Sequence, residues 1–254
     1  MNIVSDLKIW QALRKNLDQK RIGFVPTMGN LHQGHLSLCR RAQNENELTV
    51  VSIFVNPTQF NQAQDFDRYP RTIEADLALL KEAGVDYVLM PDSAALYPDH
   101  FEIKITENTI GALLEGEHRP GHFTGMLTVV MKLLNLVQPQ YAYFGEKDYQ
   151  QLLLVKKMVE ALFLPCEIVS CPTVREASGL AMSSRNSRLT AAQKQLAPQL
   201  HQILSSHLPL EQMHEALTKA GFRVEYVAEK WGRRLVAVWL GEVRLIDNVG
   251  VKTC

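Results

Sequence analysis

The sequence predicts an α/β protein: a doubly wound, Rossmann-like parallel sheet followed by a second, smaller α+β domain. Three observations predict it. Short apolar runs without clean polar alternation recur through the first two thirds of the chain, as strands covered on both faces do. Helix-length patterns separate them, giving strand–helix–strand order. After Val174 the order changes to helices followed by runs suited to an antiparallel hairpin.

In chain order, Ser5 is placed to cap a helix over 6–17, with Leu7, Trp10, Leu13 and Leu17 on one face. Strands are expected at 22–25, 49–55, 87–90, 141–144 and 167–170, and helices at 35–44, 73–83, 124–137 and 149–162. Beyond the boundary, 177–186 reads as a loop, 190–206 and 210–220 as helices, and 223–228, 235–240 and 242–247 as strands. Gly241 invites the turn between the last two. The domains are thus 1–174 and 175–254.

With 254 residues the chain can bury a large core in one or two domains. Its 27 Lys plus Arg balance 27 Asp plus Glu, so charge selects no partner, and a nucleic-acid-binding chain is more often basic. No apolar run is long enough to span a bilayer, and the N-terminal stretch lacks a signal-peptide core. Cys39, Cys166, Cys171 and Cys254 show no metal-binding or redox spacing and read as reduced thiols in a cytoplasmic protein.

In an open parallel sheet, ligands bind beyond the carboxyl ends of the strands. Each polar cluster of this sequence follows a strand: PTMGNLHQGH, NPTQF, GEKDYQQ and the segment leading to MSSRN. In the first, Gly29 and Gly34 let the backbone approach a ligand, and His35 falls near a helix start, where N–H groups favour anions. His32 and His35 can both donate to phosphate oxygens. A zinc site is not expected, because H-x-x-H lacks the i, i+4 spacing and no further His or Cys cluster supplies ligands. Lys147 can reach a polyphosphate and Asp148 a ribose hydroxyl; Ser183, Ser184 and Arg185 add two hydroxyls and a guanidinium. Taken singly, each has a plain structural reading: satisfied histidines, a solvated charged loop, a helix cap. Together they suit a nucleoside triphosphate attacked at its α-phosphate.

H-x-G-H with a late MSSRN loop resembles the nucleotidyltransferase superfamily. The set PTMGNLHQGH, VVSIFVNPTQF, YPRT, RPGHFTGMLTVVMKLLN, YFGEKDYQQ, PTVREASGLAMSSRN and LGEVRLIDN closely resembles the pantoate–β-alanine ligase family over nearly the whole chain. That resemblance implies condensation of pantoate with β-alanine through a pantoyl adenylate, with ATP as substrate and Mg²⁺ held mainly by its phosphates. It makes His32, His35, Lys147, Ser183, Ser184 and Arg185 the catalytic positions. It puts ATP along Met28, Gly29, Asn30, Leu31, His32, Gln33, Gly34, His35, Gly145, Glu146, Lys147, Asp148, Val174 and Met182 to Arg185. It gives Gln59, Gln151 and Asn56 to the small-molecule substrates, with Phe60 as an apolar wall and Arg119 and His122 in a nearby loop. Asp76 reads as a helix-surface carboxylate, with water-mediated magnesium binding less favoured. No protein metal ligand, nucleic acid or membrane is implied; a cytoplasmic homodimer is. Residues 1–174 would bind nucleotide and pantoate, and 175–254 would carry MSSRN. One departure shows: the stretch between about Ala228 and Leu235 looks short for the family. The alternatives are a nucleotidylyltransferase, which stops at the AMP ester, and a non-enzymatic nucleotide- or RNA-binding module.

Overall fold

A computed structural model describes residues 1–251; Cys254 lies outside them. The chain forms two compact units: one of 1–31, 35–145 and 150–171, the other of 32–34, 146–149 and the chain from Pro172 onward.

The first unit is built on a six-stranded parallel sheet. Its strands are β1 (Asn2–Val4), β2 (Ile22–Thr27), β3 (Leu48–Ile53), β4 (Tyr87–Leu89), β5 (Tyr141–Gly145) and β6 (Glu167–Cys171), in the order β1-β4-β3-β2-β5-β6. Apolar runs become central strands because both faces are covered. Val25, Val51 and Val88 pack with Leu36, Cys39 and Ala42 of the helix Gln33–Glu45 and with Leu80 of the helix Ile73–Glu82. β1 was not expected: three residues pairing only with β4 are too short to show a pattern. The first helix is Leu7–Lys15, and its cap is Asp6 rather than Ser5, since the Asp6 carboxylate accepts the Lys8 and Ile9 amides at 2.7 and 3.1 Å. That helix buries Trp10 and Arg14, whose side chains donate to the carbonyls of Leu136 and Val137. They thereby satisfy the C-terminal end of the helix His122–Val137.

The strand order reverses between β2 and β5, the topological switch point where such sheets bind ligands. One residue sharpens the crevice there. The Ile22 carbonyl accepts from Gln140 on the β5 side, so the period of two turns Phe24 and Pro26 the same way. Pro26 has no N–H to donate, and the β2–β5 ladder stops at Phe24–Ala142 while β2–β3 continues to Thr27–Ile53.

The second unit packs helices Ala191–Leu196, Gln199–Leu204 and Leu210–Lys219 on a three-stranded antiparallel sheet of β7 (Arg223–Lys230), β8 (Arg233–Leu240) and β9 (Val243–Gly250). The single helix expected over 190–206 is broken in two, because Pro198 cannot donate to the preceding turn. Trp231 and Gly232, both at positive φ, join β7 to β8 through a two-residue turn. The expected loop after Val174 is an ordered hairpin: Met182 donates to Val174, and Glu176 to Leu180, around the bridge Arg175–Ala181. No helix among the described residues is long and apolar enough to cross a membrane.

Candidate active site

The first unit carries the loop after β2. Gly29 and Asn30 both take left-handed φ, 79° and 49°, which turns the chain sharply past Ile53. Asp76 holds the turn. Its carboxylate accepts the amides of Asn30 at 2.9 Å and Leu31 at 2.8 Å, and the Thr72 hydroxyl at 3.2 Å. Asp76 is only 1% exposed, so its reading as a helix-surface carboxylate is corrected: it lies on the same face as buried Leu80, one turn earlier. A Cβ at Gly29 would sit 3.0 Å from the Asp76 carboxylate, so the turn needs glycine for space as well as for φ.

Beyond β3, Asn56 and Gln59 form a buried amide pair. Asn56 donates to the Gln59 side-chain oxygen at 3.0 Å and to the Gly125 carbonyl, and it accepts from Tyr97 at 2.8 Å. Gln59, 7% exposed, in turn points its amide nitrogen at the Met28 sulfur, 3.1 Å away. Thioether sulfur is a weak acceptor, so this NH₂ keeps most of its capacity for a stronger partner. The turn Pro57–Gln59 rests on the helix His122–Val137, where a Cβ at Gly125 would meet the Thr58 carbonyl oxygen at 2.2 Å. His122 supports the same turn. One ring nitrogen lies 2.8 Å from the Gln59 carbonyl and the other 3.1 Å from Arg119. A carbonyl only accepts and a guanidinium only donates, so the ring is neutral with its proton on Nδ1. Arg119 and His122 thus act on Gln59 from behind. Phe60 stacks edge-on against Phe66 and Tyr69. Gln151 is half-buried at the start of the helix Tyr149–Ala161. Its neighbour Gln150 is committed to the Glu115 amide and the carbonyls of Ile110 and Leu113. His35 is the third residue of its helix, which starts at Gln33, two positions earlier than expected.

The second unit carries the other candidates. The Gly34 amide donates to His32 Nδ1 at 3.2 Å, which leaves the imidazole proton on Nε2. Burial, reinforced by Lys147, lowers the His32 pKa to about 4 against an opposing effect of Asp148. His32 is therefore a neutral N–H donor at physiological pH. A Cβ at Gly34 would come within 2.9 Å of that ring. Lys147 lies in the turn Glu146–Asp148, its ammonium 3.9 Å from the Asp148 carboxylate. Ser183 caps the short helix Ser184–Arg188 by accepting the Arg185 amide at 3.2 Å, which leaves its hydroxyl proton to donate elsewhere. Asn186 ties the segment down through Glu176 and the Ala181 carbonyl. The pairing of Met182 with Val174 takes the Met182 amide out of ligand binding.

The reading of the sequence misplaced Asp76 and did not single out Tyr97, Asp247 or Asn248. Only Asp76 left a signal, its place on the apolar face of its helix; the others are recognised through partners far along the chain.

Comparisons with known proteins bear on the family of the chain. The family model for pantoate–β-alanine ligase matches residues 2–250. A pantothenate synthetase of Legionella pneumophila is 51% identical over 98% of this chain and 99% of its own length. One from Coxiella burnetii is 53% identical over 97% and 96%. The turn after β7 therefore does not make this chain short against these relatives. Among solved structures, the Francisella tularensis pantoate–β-alanine ligase complexed with βγ-ATP and β-alanine superposes with a TM-score of 0.95, at 42% identity over 98% of this chain and 97% of that one. Pantothenate synthetase from Thermus thermophilus gives 0.91 at 44% identity over the whole of both chains. With the family model spanning all but the ends of the described residues, this chain belongs to the pantoate–β-alanine ligase family.

Proposed function

We propose that the chain joins pantoate to β-alanine with ATP, by way of pantoyl adenylate. The pantoate carboxylate attacks the α-phosphorus, and the bond to the bridging oxygen breaks with loss of pyrophosphate. The β-alanine amine, its proton lost, then attacks the acyl carbon, and AMP leaves with the acyl–oxygen electron pair. No protein nucleophile is required, so catalysis is alignment and stabilisation of charge.

Each unit has its share in this reading. The first supplies His35 and the Met28–Leu31 turn toward ATP, and Asn56, Gln59 and Gln151 toward pantoate. The second supplies His32, Lys147, Ser183, Ser184 and Arg185 toward the phosphates. Gln33, Gly34, Gly145, Glu146 and Asp148 line the nucleotide, with the Val174 amide and the Met182 carbonyl as the hairpin's remaining backbone contacts. In domain terms, 1–174 binds nucleotide and pantoate and 175–254 carries MSSRN. His32 acts as a neutral donor through Nε2, not as an acid. Mg²⁺ would arrive with the triphosphate, held by phosphate oxygens, and would neutralise charge on the leaving pyrophosphate. Cys39 and Cys166 form no disulfide, and burial pushes their thiols up to about 12. Such thiols suit a reducing cytoplasm, and a homodimer is the proposed assembly.

The observation that carries the substrate reading is the buried Asn56–Gln59 pair. An uncharged, preorganised amide suits the hydroxyls of a small acid. A phosphorylated acceptor, as a nucleotidylyltransferase would use, calls for cations there. Product analysis tests it. Incubation with ATP, pantoate and β-alanine should yield pantothenate and free AMP in equal amounts; pyrophosphate without free AMP would favour the nucleotidylyltransferase reading.

A further inference from the structure

We propose that Asp247 and Asn248, adjacent residues of β9, are positioning residues that fix the Lys147 turn and the hairpin leading to MSSRN. The inference rests on the assignment of Lys147 and Met182–Arg185 to ATP. β9 alternates until its end: Val243, Leu245 and Asp247 face the core of the second unit, while Arg244, Ile246 and Asn248 face the other way. Two consecutive polar residues, both buried and on opposite faces, are costly unless each is satisfied. Each is, by a different segment.

Asn248, 2% exposed, donates through one amide nitrogen to the carbonyls of both Glu146 and Lys147, each at 2.9 Å. Its oxygen accepts from Arg233 Nε at 2.5 Å. Carbonyls only accept and guanidinium only donates, so the amide has one possible orientation. Arg233 reinforces the grip. It lies 3.3 Å from the Glu146 carboxylate, and its guanidinium stands 4.5 Å over the Tyr149 ring. The turn is thus held at 146, 147 and 149, and Asn248 and Arg233 hold it without touching the Lys147 side chain.

Asp247 takes the other segment. Its carboxylate receives Arg175 bidentately at 2.7 and 2.9 Å, accepts the Asn248 amide at 2.8 Å and lies 3.4 Å from His201. Arg175 is the residue of the hairpin that bridges to Ala181, directly before Met182. The same guanidinium donates to the Gly179 carbonyl at 3.2 Å, closing the hairpin's tip. Side chains at two successive positions therefore set the backbone of two phosphate-facing segments without touching substrate.

The test compares Asn248→Asp and Asp247→Asn with wild type. Asn248→Asp keeps shape and the Arg233 contact but turns an oxygen toward two carbonyls. Displacement of a catalytic group by about 1 Å typically costs about 10²-fold, so pantoate-dependent ATP–pyrophosphate exchange per folded molecule should fall by that order, and by less in Asp247→Asn. Pantoate affinity, set by the first unit, should not change. A merely structural role would instead lower the melting temperature and leave the exchange rate per folded molecule intact. Wild-type exchange in folded Asn248→Asp overturns the inference. Should that variant not fold, Arg233→Ala, which removes the donor to the Asn248 side-chain oxygen and the contacts to Glu146 and Tyr149, carries the same expectation, and wild-type exchange there overturns it too. Lys147→Ala separates the two levels. Undiminished exchange in that variant removes the assignment of Lys147 to ATP; loss there with full exchange in Asn248→Asp removes only the positioning role.

Discussion

His32 shows how much a single site depends on its surroundings. Its imidazole is half-buried and feels the charge of Lys147, and its tautomer is fixed by a backbone amide two residues on. NMR titration of the free protein should find the His32 ring neutral across the physiological range, with a midpoint near 4. A midpoint near the ordinary 6.5 would mean that the burial and Lys147 effects are absent. The sign of the stability effect follows. Below pH 6.5 the unfolded chain takes up this proton before the folded one, so the folded state loses stability as pH falls toward 4. Gln59 makes a second residue-scale case. If Gln59 meets pantoate as proposed, truncation to alanine removes the partner of a substrate hydroxyl and one of the two acceptors of the Asn56 amide, which costs about 1–3 kcal/mol of pantoate affinity. Calorimetry should show that loss in Gln59→Ala, and a similar one in Gln151→Ala, with ATP affinity hardly moved. Equal losses for both ligands would place pantoate elsewhere.

Among elements, the turn Pro57–Gln59 is only as rigid as the helix behind it. Gly125→Ala puts a methyl into the Thr58 carbonyl, and backbone cannot give way as a flexible side chain can. The variant should melt lower by a few degrees, about 1–3 kcal/mol, and bind pantoate more weakly. Unchanged pantoate binding would show that the turn does not depend on this contact. The loop after β2 has the same logic: Asp76→Ala removes two buried acceptors for the Asn30 and Leu31 amides and should slow adenylate formation as well as lower stability. Single-turnover kinetics and melts read both effects. Elements were the part most open to reading. Strands β2 to β6 and the long helices declare themselves by apolar runs and periods within a window of residues. The helix caps, the break at Pro198 and the three-residue β1 are settled by one or two local competitors, so boundaries moved there. The supporting roles of Asp76, His122 and the Asp247–Asn248 pair were not legible, because they lie in partners such as Leu31, Gln59, Arg175 and Lys147, as far as 101 positions away.

For the whole molecule, two units divide the work. In the proposed reading, the parallel-sheet unit, whose β2–β5 ladder ends before Pro26, takes pantoate, and the small α+β unit contains His32, Lys147 and the MSSRN segment. Motifs spread along the chain disclosed the chemistry because adenylation asks for a recognisable set of donors; the supports behind those donors use ordinary residues and left little trace. The central claim is that an acyl adenylate of pantoate forms before β-alanine takes part. Exchange of labelled pyrophosphate into ATP tests it most directly, with each carboxylic substrate supplied alone. The account predicts exchange with ATP and pantoate in the complete absence of β-alanine, and none with ATP and β-alanine; exchange that requires β-alanine, or proceeds without pantoate, would contradict it.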